Sequence, residues 1–383
     1  MLLVPFSRAF PFCGDSWTVN DNFIRTVNGG SEGCLVVGPS SAGCEGFLRL
    51  TPTEWKILRA YPSSQNLAKV ASSTGLPYST VVDVTRRLRE RGVTVHYVPK
   101  LDRLGVVPLL VVMEGDMPPQ TPAYTVYRCE GIGKRKYTVL HALLPDRLVH
   151  DYLSLLPKEP AIEIRGLDVR YWDPRGRLTR YDAGRGVVVL DESDFEKVLL
   201  SCWEFRTPEE RRWVDWLDLL ILSYKMRNAY AKLSSVMKKS SGFVEYAPSR
   251  QLLSYHYRMH VVPLWRVNAI RYELQGPCPR KLYILEGKPS AAAACSLVEA
   301  PYFHEAVVGE SAACVLSQHP CALEAFAYKV VYIASTVFSS EVDMEEIILT
   351  EFARYEWLTP ELLSRYREHG TWPPPSELPT PQP

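Results

Sequence analysis

The 383-residue chain has no apolar run of the ~20 residues that a membrane-spanning helix requires, so no such helix is expected. Its first residues, MLLVPFSRAFPFCG, are apolar but broken by Pro5 and Pro11. No basic segment precedes them, which argues against a secretory signal. Nine cysteines are present, yet no two form a CxxC pair, which argues against a zinc ribbon and a secreted disulfide framework. A cytoplasmic protein with buried thiols is the expectation, with a bridge such as Cys314–Cys321 admitted for a hyperthermophilic source. Neither sign of charge is in excess: 44 Lys and Arg face 43 Asp and Glu. Bulk charge therefore announces no nucleic-acid partner, and any DNA-binding surface must come from local clustering.

Familiar catalytic signatures are also missing. GIGKRK at 131–136 and GKPS at 287–290 lack the GxxxxGK[ST] spacing of a phosphate loop. His256 and His260 stand four apart in HYRMH, a spacing that puts both on one helix face. Tyr257, however, occupies the place of the Glu that a metalloprotease helix needs, and no further ligand is evident. Helix-surface histidines near DNA phosphates are expected there, and no metal. No Ser/His/Asp constellation can be assembled, and no cofactor is required.

What is present is one plan written twice. Residues 1–46, rich in Gly, Ser, Asn and Cys, are expected to be a disordered extension. From there, LTPTEWKILRAYP reads as a helix with Thr51 as N-cap, Pro52 in the first turn and Glu54 completing a capping box. SQNLAKVASSTG is a second helix stopped by Gly75. PYSTVVDVTRRLRERG is a third, with Val81, Val84 and Leu88 at helical spacing and Gly92 ending it. VTVHYV then alternates as a strand. Three short helices, a tight turn and a strand make a winged helix-turn-helix over 47–103. Strand, strand, strand, helix and strand over 104–172 approximate a ferredoxin-like βαββαβ unit, whose first helix is displaced by the proline-laden GDMPPQTP. Residues 173–206 link to a second, divergent winged helix at 207–273, where Ala231-Lys232 answers Ala68-Lys69. A fuller βαββαβ unit at 274–345 follows, with its last strand within TVFSSEVDM. C-terminal helices are expected over 346–370 and a mobile proline-rich tail over 371–383. The fold class is α+β, two winged helix-turn-helix domains each followed by a ferredoxin-like domain.

The stretch GLPYSTVVDVTRRLRERGVTVHYVPKLDRLGVVPLLVV resembles the leucine-responsive regulatory protein (Lrp/AsnC) family. The matching positions are Gly75, Leu76, Ser79, Thr80, Val81, Arg86, Leu88, Gly92, Val93, Leu104 and Gly105. The resemblance covers about residues 47–172, and 207–340 through the repeat. It implies a ligand-sensing ferredoxin-like domain behind each winged helix, a small effector such as an amino acid, and dimerisation through the sensing domains. A tandem chain then implies an internal pseudo-dimer, monomeric or weakly dimeric overall.

Double-stranded DNA is the expected partner of a transcriptional regulator of this kind. In the first copy, Tyr78, Ser79 and Thr80 open the third helix, and Arg86, Arg87, Arg89 and Arg91 crowd its remainder, with Lys100 beyond the strand. A helix fits the major groove, where arginines neutralise phosphates or pair with guanine. In the second copy Ser249, Arg250, Gln251 and Arg258 hold the corresponding places, with Lys238, Lys239, Tyr255 and Arg266 nearby. Two rival classes stand beside this reading. A siroheme-decarboxylase-like enzyme shares the domain order and would set basic residues and a histidine around a tetrapyrrole, with His96, His141 and Arg128 as candidates. A non-catalytic scaffold of the transcription machinery is the other. If the third helix binds DNA, Arg86→Ala with Arg89→Ala should weaken binding and lower the log–log salt slope by about 0.9 per lost phosphate contact. Fluorescence anisotropy over a salt series checks this, and an unchanged slope in a folded variant removes the helix from the interface.

Overall fold

In a computed structural model, the described residues are 46–117, 120–202, 209–240, 248–274 and 278–381. The extension expected over 1–46 lies outside them, save Gly46, as do the first residues of the linker's exit at 203–208.

The first three-helix unit comprises α1 (Pro52–Ala60), α2 (Leu67–Thr74) and α3 (Tyr78–Glu90). The capping box forms as expected: Glu54 N donates to Thr51 Oγ1, and Thr51 N donates to Glu54 Oε2 at 2.8 Å. Gly75 ends α2 in the left-handed conformation. Ile57, Leu58, Val70, Val81, Val84 and Leu88 converge in its core, as their helical spacing requires. The strand that follows, β1 (Thr94–Pro99), does not fold back as a hairpin. It pairs antiparallel with β9 (Trp265–Arg271), its counterpart from the second copy, placing His96 opposite Ala269 and Thr94 opposite Arg271.

The second unit is built from α6 (Trp216–Arg227), α7 (Leu233–Ser240) and α8 (Arg250–His256). α8 runs on through a π-helical stretch at Tyr257–Val261 and one further turn, α9 (Val262–Leu264), directly into β9. Asp215 caps α6, accepting from Leu217 N and Asp218 N.

Each copy then supplies a four-stranded antiparallel sheet. The first contains β2 (Val106–Glu114), β3 (Thr125–Ile132), β4 (Lys136–Pro145) and β5 (Ile162–Arg165), with α4 (Val149–Ser154) before β5. β5 passes through Gly166 and Leu167 into β6 (Asp168–Tyr171). The second contains β10 (Arg280–Glu286), β11 (Phe303–Val308), β12 (Ala312–Gln318) and β13 (Asp343–Arg354). Its helices are α10 (Ser290–Glu299) and α11 (Glu324–Val337). The strand orders β5-β2-β4-β3 and β13-β10-β12-β11 follow one pattern in both halves, that of a ferredoxin-like unit.

The two sheets join at both edges. β3 pairs with β13, and β6, the continuation of β5, pairs with β11. The nine strands therefore form a curled sheet whose two end strands are one continuous piece of chain, an internal pseudo-dimer closed like a barrel. Each seam has a glycine. A Cβ on Gly131 would sit 2.6 Å from Ile347 Cγ2, and one on Gly166 would sit 2.6 Å from Pro108 Cγ and 2.9 Å from Val307 Cγ1. Any side chain there would push the halves apart.

Several expectations need correcting. Residues 343–354, taken in part for the start of C-terminal helices, form β13; the α-helix beyond it is α12 (Pro360–His369), followed by a 3-10 turn at Pro375–Glu377. Ile347, Ile348 and Thr350 are β-branched, and the segment has a strand to pair with on each side, which overrides its helix-like spacing. The linker is structured as a hairpin, β7 (Thr179–Asp182) with β8 (Val187–Leu190), and a helix, α5 (Phe195–Ser201). The proline-rich tail is docked: Trp372 is buried, stacked on Trp357, and Tyr124 Oη donates to Pro373 O at 2.7 Å. With Trp357, Leu362 and Tyr366, it joins the apolar cluster that holds Leu140, Ala142 and Tyr152, on the half that lacks its first helix. Cys314 and Cys321 are free thiols, the first buried and the second exposed.

The seams carry the association of the halves. A single protease cut at Gly184, at the exposed tip of the β7–β8 turn, should leave two fragments that co-elute at the size of the intact chain. Size-exclusion chromatography of nicked protein checks this, and fragments that separate without denaturant refute it.

Candidate functional site

The interior of the closed sheet has two unlike ends. Val112, Val139, Ile164, Leu282, Ile284, Val307 and Ile347 fill one region with packed hydrocarbon. At the mouth beneath the β1–β9 ribbon, ionisable side chains replace it. His141 from β4 and Glu305 from β11 are almost fully buried, at 1% and 3% exposure. His141 Nδ1 lies 3.4 Å from Glu305 Oε1, and Arg271 from β9 reaches Glu305 Oε2 at 3.6 Å. Arg354, at the end of β13, lies with Tyr127 and Phe352 under its guanidinium, 5.9 and 4.9 Å from the ring centres. His96 hangs from the ribbon, its ring nitrogens 2.7 Å from Met226 O and 2.8 Å from Thr94 Oγ1.

Irregularities in the strands aim these groups. Side chains alternate across a strand, so one extra residue reverses which face the following ones occupy. In β13 the register slips between Leu349 and Glu351; Ile347 faces inward before the slip and Phe352 and Arg354 after it. In β11 the slip falls at His304, which lets both His304 and Glu305 reach the mouth.

Two cavities share the wall formed by His96, Arg271 and Arg354. One, of about 300 Å³, is lined further by His141, Tyr171, Ser223, Met226 and Glu305. The other, of about 550 Å³, is lined by Glu90, Arg91, Tyr272, Arg280, His304 and Phe352. Both fall in or near the range of small-molecule sites.

The electrostatics are one-sided. Burial, with the help of Arg271, holds His96 down to about 3, and burial with Arg354 and Arg280 does the same to His304, again to about 3. Burial alone would raise Glu305, but His141, Arg271 and Arg354 outweigh it and hold the carboxyl near 2. Burial and the like charge of Arg271 pull Arg354 down to about 10. Glu305 opposes that fall, but among the described residues no hydrogen bond holds the Arg354 guanidinium. Both ring nitrogens of His141, Arg271 Nε and Glu305 Oε2 are likewise buried without hydrogen-bond partners. One carboxylate thus faces two guanidiniums in a desolvated space, a disposition that favours an incoming anion.

His96 and His141, candidates from sequence, come together here. Arg128 does not: it sits on the other face of β3, bonded to Met117 O and Glu130. Sequence reading missed Arg271, His304, Glu305 and Arg354. The DNA-directed residues lie elsewhere. Tyr78, Ser79, Arg86, Arg87 and Arg89 are exposed on α3, with Thr80 partly covered and Arg86 paired with Asp83. Arg91 is turned back onto Glu54 and Arg49 O. Lys100 is bonded to Glu209, and Arg266 to Asp168. In the second copy Ser249 caps α8 by accepting from Leu252 N, and Arg250, Gln251, Tyr255 and Arg258 are exposed. The side chains of Lys238 and Lys239 lie outside the described residues. His256 is not a surface histidine: it is buried and bonded to Asp218.

Histidines held neutral make the fold acid-sensitive. The unfolded chain takes up protons on His96 and His304 near pH 6.5 that the folded chain refuses until about pH 3, so their contribution is lost as pH falls through that window. Glu305 acts in the same direction between its ordinary 4.5 and about 2. Urea unfolding at pH 7, 6, 5 and 4 should show falling stability. His304→Gln should reduce the slope by up to about one proton between pH 6 and 4. A flat profile would contradict this account of the site.

No family model matches the chain, and no curated protein matches it. Among solved structures it is similar to the siroheme decarboxylase NirDL in co-complex with an iron-uroporphyrin III analogue. The TM-score is 0.35 at 12% identity, over 82% of this chain and 97% of that one. It is also similar to an anthrone oxidase-like protein, with TM-score 0.26 at 8% identity, over 68% and 96% of the two chains. Such scores carry no weight for function, and the ferredoxin-like assignment stands on strand order and pairing.

Proposed function

We propose that the chain is an enzyme that binds a polycarboxylate tetrapyrrole at the barrel mouth and removes carboxyl groups from it, in the manner of a siroheme decarboxylase. The observation that carries this reading is two guanidiniums, Arg354 and Arg271, facing the single carboxylate of Glu305 beside a buried histidine, His141, whose ring nitrogens make no hydrogen bond. Arg354 and Arg271 suit paired carboxylates, since a guanidinium meets a carboxylate in a planar fork. Tyr171, Phe352 and Trp357 line the two cavities and offer aromatic surface to a flat ring.

The chemistry asked of the residues is limited. When an acetate arm loses CO2, the carbon–carbon bond breaks and its electron pair stays on the methylene carbon, conjugated with the pyrrole. A proton must then be delivered to that carbon to give a methyl group. His141 is the proton donor in this reading, with the Glu305 carboxylate 3.4 Å from its Nδ1 to orient the ring. The desolvated mouth also disfavours the substrate carboxylate relative to neutral CO2.

A second reading keeps support from α3, where Arg87 and Arg89 are exposed and make no ion pair among the described residues. That is a DNA-binding regulator whose effector occupies the same mouth. The discriminating experiment titrates the purified full chain with iron-uroporphyrin III and follows its Soret band, then looks for released CO2 and a decarboxylated product by mass spectrometry. Arg354→Met should weaken binding roughly ten- to a hundredfold, the worth of a lost charged hydrogen bond. His141→Asn should retain binding and lose turnover. Binding without turnover, with a change in DNA affinity, would favour the regulator. No spectral change would overturn both the tetrapyrrole and the site assignment.

A further inference from the structure

The second three-helix unit contains a cluster that neither reading uses. Asp218, in the first turn of α6, is wholly buried. His256 Nδ1 lies 2.9 Å from Asp218 Oδ1, and His260 Nδ1 lies 3.2 and 3.0 Å from its two oxygens. Asp215 Oδ2, the carboxylate oxygen not used in capping α6, lies 3.5 Å from His256 Nδ1. The two imidazoles come from one helix face, four residues apart, and meet a carboxylate from another helix.

We propose that Asp218, His256 and His260 form a site for a divalent transition-metal ion of the zinc class, with Asp215 Oδ2 as the neighbouring fourth donor. The geometry argues for it. Donors that share one zinc at its usual bond lengths stand about 3.3 Å apart. The nitrogen–oxygen separations here, 2.9 to 3.2 Å with 3.5 Å to Asp215, fall around that value. The three donor atoms all lie within 4.8 Å of one another. Two imidazoles with one or two carboxylates suit zinc, and exclude the all-oxygen preference of calcium or magnesium.

Access and rigidity are both provided. His260 is about a quarter exposed, at 28%, so an ion has an entry path. Tyr255 covers both rings edge-on, at 5.7 Å from each. The helix widens into its π-helical turn right after His256, the kind of local distortion that often marks a site. The ion would staple α6 to α8. α6 lines the barrel mouth with Ser223, Met226 and Arg227, and α8 leads through the π turn into β9 and Arg271. The metal would therefore hold both supports of the mouth without touching it.

The test uses the full chain stripped with chelator and then titrated with Zn2+ against a competing chromophoric chelator, and with Co2+ to read ligand-field absorption. His260→Asn is the chosen variant, because its side chain is partly exposed and its loss leaves the buried Asp218–His256 bond in place. We expect it to bind one equivalent fewer than the unmodified chain, or to bind that equivalent at least tenfold more weakly, a typical cost of losing a ligand or its support. The Co2+ band should fall with it, and the Zn2+-induced rise in Tm should vanish. His304→Asn serves as control for ions captured at the barrel mouth and should leave that equivalent intact. Equal stoichiometry, affinity and Tm rise in His260→Asn and the unmodified chain would overturn the proposal, as would loss of the equivalent in His304→Asn alone. Neither result depends on whether a tetrapyrrole binds.

Discussion

Closure of two sheets into one is the constraint on which the rest of the molecule depends. A four-stranded ferredoxin-like sheet has two open edges, and each is a row of unpaired backbone donors and acceptors. Here the edge of each half is satisfied by the other half, through β3 with β13 and β6 with β11. Because β5 and β6 are one strand bent at Gly166, the chain crosses from one half's sheet to the other's without a loop. A tandem sequence achieves within one chain what two subunits would otherwise do. It also frees the halves to diverge, which explains why one keeps both outer helices and the other replaces one with the docked C-terminal segment around Trp357 and Trp372.

A closed sheet must also fill its interior. Aliphatic side chains do so at one end, where packing alone suffices. At the other end the sequence places His141, Glu305 and Arg354, which pack less well and lose hydration. Two guanidiniums there share the one carboxylate of Glu305, so their mutual repulsion and lost hydration are only partly offset. Stability alone does not account for that choice. The cost is intelligible if the mouth serves to receive an anion, because a further carboxylate would offset the positive charge that Glu305 alone leaves in excess.

The sequence made the architecture legible wherever periodicity was intact. Thr51 and Glu54 marked a helix start, Gly75 and Gly92 marked stops, and the repeat foretold two halves with the same element order. His96 and His141 could be named, with Arg128, as the histidines and basic residue that a tetrapyrrole site would need, and the two histidines lie within strands that reach the mouth. Arg354 and Glu305 could not. Both follow a register slip, so counting by twos from Ile347 or Phe303 assigns them to the wrong face. β13 was harder still, since IILTEFA carries apolar residues at helical spacing and only its two strand partners decide otherwise. His256 and His260 were seen as a pair, but their carboxylate stands some forty residues away on another helix, and no spacing rule connects them.

The enzyme and regulator readings share one cavity and differ in a single physical respect. An effector site needs only to bind, and for that the guanidiniums suffice. A decarboxylating site must in addition place a proton donor beside the carbon that loses CO2, in a space dry enough to favour the neutral product. His141 is redundant in the first case. It is buried within a barrel strand, with neither ring nitrogen hydrogen-bonded and a carboxylate oxygen 3.4 Å from Nδ1. An imidazole kept there without hydrogen bonds contributes little to binding an anion that Arg354 and Arg271 already attract. It contributes a great deal to delivering a proton, and that asymmetry is why the barrel mouth reads more naturally as a place of reaction than as a sensor.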